Sequence, residues 1–82
     1  MIHINHKNGI YFLNKNGYYH REVGPAIING NHQEWYKNGD LHRLDGPAYI
    51  NGERNIWYIE GKEYTEPEYY DKLKEIDYHD IY

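Results

Sequence analysis

A sequence period of 22 governs this 82-residue chain. Gly17, Gly39 and Gly61 fall on it, as do the pairs His20/His42, Arg21/Arg43, Gly24/Gly46, Pro25/Pro47, Ala26/Ala48, Ile28/Ile50, Asn29/Asn51, Gly30/Gly52, Trp35/Trp57 and Tyr36/Tyr58. Composition alone does not produce matches this dense, and repeats of this size are stacked copies of one supersecondary unit. The most explicit copy, "NGDLHRLDGPA" at 38–48, is anticipated by "NGYYHREVGPA" at 16–26.

Each unit reads as strands and turns. "AIINGNHQEWY" and "AYINGERNIWY" are runs rich in Ile, Tyr and Trp, broken by Asn-Gly. That dipeptide between such runs predicts a hairpin with a type I′ turn, where both central residues need positive φ. "YKNGD" and "YIEGK" turn the chain again at Gly39 and Gly61. No window before residue 64 sustains a 3.6-residue period. The spacing therefore predicts hairpins over 1–63, five or six short strands in an extended twisted antiparallel sheet. Residues 1–17 form a capping hairpin with a longer turn at Lys7–Gly9, and 18–63 are the repeat hairpins.

The third unit departs from the period: Tyr64-Thr65 stands where His-Arg is expected. Thr65 and Glu68 make a capping box with Pro67 in the first turn, and Tyr69, Leu73 and Ile76 share one helical face. A single amphipathic helix over about 65–76 is predicted, covering the last strand, with 64–82 as helix and acidic tail. The whole chain is one mostly β domain.

Composition narrows the possible functions. The chain has no cysteine or serine and one threonine. Disulfides and thiolate metal sites are excluded, and no nucleophile–base–orienter triad can be assembled. The expectation is a protein that is not an enzyme. No apolar run approaches the ~20 residues of a membrane span, and "MIHINHKNGIY" lacks a signal-peptide core, so a cytoplasmic location is expected. His3 and His6, three apart on a strand, point to opposite sides, and His32 and His79 stand isolated, so no metal or other cofactor is expected. Residues 1–59 hold six basic and five acidic side chains, residues 60–82 three basic and eight acidic. That balance does not suit duplex DNA.

"WYKNGDLHRLDGPAYINGERNIWY" resembles the MORN repeat, and more closely a variant with the pattern W-Y-x-N-G-x-x-H-R-x-D-G-P-A found in small phage, bacterial and large-DNA-virus proteins. Val23 stands where the variant has the aspartate that Asp45 supplies, and Arg21 and Arg43 replace the second glycine of the ordinary unit. The resemblance implies an elongated sheet of hairpins used for binding rather than catalysis, and fixes no ligand.

The repeated His20-Arg21 and His42-Arg43 pairs have two readings. In one, the histidine is an internal strut donating to a backbone carbonyl across the turn. A fold rule must recur in every unit, whereas an active site need occur only once. In the other, Arg21 and Arg43, about two strand spacings apart, grip phosphates, with Arg54 nearby and Trp35 and Trp57 stacking a base. A small nucleotide is then the ligand and the protein sequesters it. The first expectation is instead a phage-type inhibitor that binds and blocks a host protein through Tyr58, Tyr69 and the acids Glu68, Asp71 and Glu75, with the nucleotide trap as its alternative. A structural interaction module is the third possibility. Trp57 and Ile59 face one side of their strand and Ile56 and Tyr58 the other, so both faces carry bulky groups and a homodimer is expected to cover one.

Overall fold

The computed structural model describes residues 2–6 and 9–76. Nine strands and one helix follow in chain order: β1 (Ile2–His6), β2 (Gly9–Leu13), β3 (Ile27–Asn29), β4 (His32–Glu34), β5 (Tyr36–Lys37), β6 (Asp40–Leu41), β7 (Tyr49–Asn51), β8 (Arg54–Ile59), β9 (Lys62–Tyr64) and α1 (Glu66–Leu73). Seven strands form one open antiparallel sheet in the order β1-β2-β3-β4-β7-β8-β9, and β5 and β6 pair separately. The molecule is a slab of 38 × 29 × 16 Å, thin because the sheet is a single layer.

The strand count exceeds the expected five or six because the turns at Gly39 and Gly61 each return a short strand, β6 and β9, and because the long run of the second unit is interrupted at Trp35, between β4 and β5, whereas the same run in the third unit continues as β8. In the turns after β3 and β7, Asn29 pairs with His32 and Asn51 with Arg54. The turn residues are thus Gly30-Asn31 and Gly52-Glu53, with positive φ at the glycine alone. This is the φ pattern of a type II′ turn, so the expected Asn-Gly I′ turns sit one residue off. Positive φ at both central positions occurs instead at Asn38-Gly39 and Glu60-Gly61.

The first unit is out of frame by one position. Phe12 occupies the place that Trp35 holds in the next unit, whereas Arg21 and Arg43 keep the regular spacing. The extra residue is absorbed in the first turn. There the Asn14 side-chain oxygen accepts from the backbone N–H groups of Asn16 and Tyr18. The predicted longer turn at Lys7–Gly9 lies in part outside the described residues, as does His79.

Helix α1 begins as read: Thr65 and Glu68 exchange both hydrogen bonds of the capping box, with Pro67 in the first turn. It ends at Leu73 rather than Ile76, the chain continuing in a tighter turn in which Ile76 N–H donates to the Leu73 carbonyl. Tyr69 and Leu73 are buried with Ile59, and Leu44, Trp57, Tyr64 and Ile76 pack around them. No helix among the described residues is long and apolar enough to cross a membrane.

Candidate functional site

The two His-Arg pairs are joints between units. His20 Nδ1 accepts from the backbone N–H of Asn38 at 3.0 Å, and His42 Nδ1 from that of Glu60 at 2.9 Å. Each histidine thus reaches forward to the first central residue of the next tight turn. The strut reading holds in position but not in polarity, because the imidazole accepts from an N–H instead of donating to a carbonyl. Backbone bonds run alongside: Arg21 N–H to Tyr36 O, Gly39 N–H to Tyr19 O, Arg43 N–H to Tyr58 O and Gly61 N–H to Leu41 O. Three turns have two junctions, so the motif occurs twice. The last unit has no successor and carries α1 in its place. His42 is 5% exposed. That burial holds its proton affinity below the usual imidazole range, with Lys37 adding to the shift.

Both arginines are spent on the same joints. The Arg43 guanidinium lies 3.8 Å from the centre of the Trp35 ring. It donates to the Pro47 carbonyl at 2.9 Å and to Asp45 at 2.8 Å. Arg21 lies 3.9 Å over Phe12 and donates to the Pro25 carbonyl at 3.1 Å. Val23 replaces the aspartate and removes the ion pair that Arg43 has. A Cβ on Gly46 would meet the Arg43 guanidinium carbon at 3.0 Å, so the glycine makes room for the fork. The nucleotide grip expected from Arg21, Arg43 and Trp35 therefore finds forks already holding carbonyls and a ring face already covered. Trp57 is no stacking platform either: it packs under α1, its buried Nε1 without a hydrogen-bond partner among the described residues.

Tyr69, expected at an interface, is wholly buried. Its hydroxyl donates to the Arg43 carbonyl at 2.6 Å and accepts from Gly46 N–H at 3.2 Å, so it closes the last joint from the helix side. Burial raises its pKa. The acids Glu68, Asp71 and Glu75 do gather, lining an open depression of about 290 Å³ with Lys62, Glu63, Tyr64 and Lys72. Glu68 is held by the cap, and the Thr65 backbone N–H keeps its carboxyl below the usual range. Asp71 sits 3.6 Å from Lys74, and Glu75 3.6 Å from Lys72.

The opposite sheet face is different. Strand pairing places Ile4, Tyr11, Ile27, Glu34, Tyr49 and Ile56 in one row across six strands. Side-chain alternation puts Tyr58 on this side too, away from Trp57 and the helix. Tyr19 joins Tyr11 to Tyr36, with ring centres 6.2 and 5.2 Å apart. At the centre, the Tyr36 hydroxyl donates to Glu34 at 2.6 Å, and the other Glu34 oxygen is hydrogen-bonded to His32 Nε2. The His32 ring meets Tyr49 edge-on at 5.2 Å. Desolvation and then Glu34 drive the Tyr36 pKa well above its ordinary range. Burial and then the Glu63 charge also raise that of Tyr58, with the exposed Arg54 opposing them.

His32 is therefore not isolated. His32, Glu34 and Tyr36 stand at i, i+2 and i+4, the spacing that puts three side chains on one face of an extended run. The third unit has Arg54, Ile56 and Tyr58 at these places, so this polar centre occurs once. Its sequence signal is a departure from the repeat at alternate positions, in a chain where attention falls on what recurs. No protein-family model, no curated protein and no solved structure matches the chain.

Proposed function

We propose that this chain is a non-catalytic binding protein that holds a folded protein partner against the tyrosine face centred on Glu34. One observation carries the reading. The Arg loops and α1 lie on the Phe12–Trp35–Trp57 side, and the other side gathers Tyr11, Tyr19, Tyr36, Tyr49 and Tyr58, none of them fully buried. Tyrosine supplies large, rigid contact area with a polar tip and is prominent among interface anchors. In line with the MORN-like resemblance, the partner is a host protein in the cytoplasm, and occupying it in the service of a phage inhibits it. The nucleotide-trap alternative is disfavoured by the engagement of Arg21 and Arg43.

The test is quantitative binding to the partner captured by the wild-type chain, using Tyr58→Glu and Tyr49→Ala against Glu53→Ala as a remote control. Loss of binding by ten-fold or more in both tyrosine variants, with their melting curves preserved, is expected. Undiminished binding in both overturns the assignment. Calorimetry with cyclic and linear nucleotides is expected to show no heat of binding, and a saturable heat would restore the sequestering reading.

A further inference from the structure

The two ends of the sheet are finished differently. β9 is three residues long, carries exposed Lys62 and Glu63, and runs directly into α1. Short length, edge charge and a covering helix are the usual protections of a sheet edge. Among the described residues β1 has none of them. Its five residues, Ile2–His6, contain no proline, lysine or acid, and all five pair with β2 in unbroken register. No strand among the described residues pairs with its other side.

The direction of its free backbone groups follows from β2. Phe12 N–H donates to the Ala26 carbonyl, and the Phe12 carbonyl accepts from His20 N–H, so Phe12 faces away from β1. Backbone groups alternate along a strand, so Tyr11 faces β1 and exchanges hydrogen bonds with its partner Ile4. His3 and Asn5 then direct their N–H and C=O groups to the open edge.

We infer that β1 is a homodimerisation edge, pairing antiparallel with β1 of a second copy about a two-fold axis through Ile4. In this register His3 of one copy lies opposite Asn5 of the other. Those are the residues with outward backbone groups, so both junctions close with two hydrogen bonds each. The two Ile4 residues meet as the close, non-hydrogen-bonded pair at the axis. Shifting the register by two positions in either direction loses overlap of this short strand. A two-fold interface must be self-complementary, and this strand is. Ile4 is 41% exposed in the single chain and begins the tyrosine-face row, so pairing brings two tyrosine faces into one continuous surface. The inference concerns assembly and stands whether or not that face binds a protein.

Two variants and a cross-link test it. Asn5→Pro removes an outward N–H that β2 does not use, and proline is tolerated on an edge strand in that orientation. Ile4→Lys introduces an edge charge. Sedimentation velocity at high micromolar concentration is expected to show a dimer for the wild-type chain and a monomer for both variants. Ile4→Cys, in a chain without other cysteine, should form a covalent dimer on mild oxidation, since the Cα separation of ~4.5 Å in such a pair suits a disulfide. Glu53→Cys, at a remote turn, should not. A monomeric wild-type chain overturns the inference. So does a dimer that persists in both folded variants, above all if Tyr58→Glu disperses it, because the copies would then meet face to face. The Ile4→Cys result decides the matter if Asn5→Pro fails to fold.

Discussion

Replacing His42 with alanine separates a joint from a ligand site. The structure sets the magnitude. His42 Nδ1 is the acceptor for the Glu60 N–H, and Glu60 is a non-glycine residue held at φ 49°. Removing the acceptor orphans that donor, at a cost of ~1–3 kcal/mol. Truncating a ring that is 5% exposed adds lost packing, for a total near ~3 kcal/mol. A domain of this size loses about 4–8 °C of melting temperature per kcal/mol, so a fall of ~15 °C or somewhat more is expected. His20→Ala should cost less, about 1 kcal/mol, because His20 is only half-buried and Asn38 tolerates positive φ better than glutamate. His42→Asn places an amide oxygen near the Nδ1 position and should recover part of the loss. Proton linkage adds a second readout. The folded state holds the His42 proton affinity below its unfolded value, so the unfolded chain binds this proton first. The contribution is complete above the unfolded pKa of about 6.5 and is lost as pH falls toward the lowered folded value. Between pH 7.5 and 5 the advantage of wild type over His42→Asn in thermal melts should shrink, because only the wild type loses this contribution. Equal melting temperatures for His42→Ala and wild type, or identical pH profiles, would refute the joint.

Arg43→Ala should destabilise by about 2–3 kcal/mol through loss of the Trp35 stack and the bond to Pro47, and Arg43→Lys should recover little because a point charge cannot fill the planar slot; urea unfolding checks both. Glu60→Gly should stabilise by roughly 0.5–1 kcal/mol, since φ 49° is strained for glutamate and the 3.8 Å pair it makes with Lys37 is solvent-exposed; a lower urea midpoint would contradict this.

Much of the architecture was legible because the period and the turn chemistry agree. Gly39 and Gly61 marked turns that the structure keeps, and Thr65 with Glu68 fixed the start of α1. Register was less legible. Asn29-Gly30 permits a turn centred on either residue, and strand pairing chose Gly30-Asn31. The one-position slip in the first unit was hidden because Phe12 replaces a tryptophan by function and not by identity. The arginines are legible only in space, since nothing in "HREVGPA" says that the fork folds back onto the carbonyl of its own proline. Tyr69 shows the same limit. Its place on the apolar helix face was readable, but its hydroxyl bonds to the preceding Arg43–Gly46 loop were not.

Forward-reaching joints make the chain open to growth by tandem duplication. A copied stretch of one full period brings a turn to receive the preceding histidine and a histidine to serve the following turn. It widens the sheet by two strands, ~10 Å, and leaves both ends untouched. A stretch one residue longer or shorter would reverse every side chain beyond it, unless a loop such as the first turn absorbs the mismatch. Helix α1, whose Tyr69 occupies the last joint, is the terminator of such a series, so the number of stacked units is set by where that terminator stands.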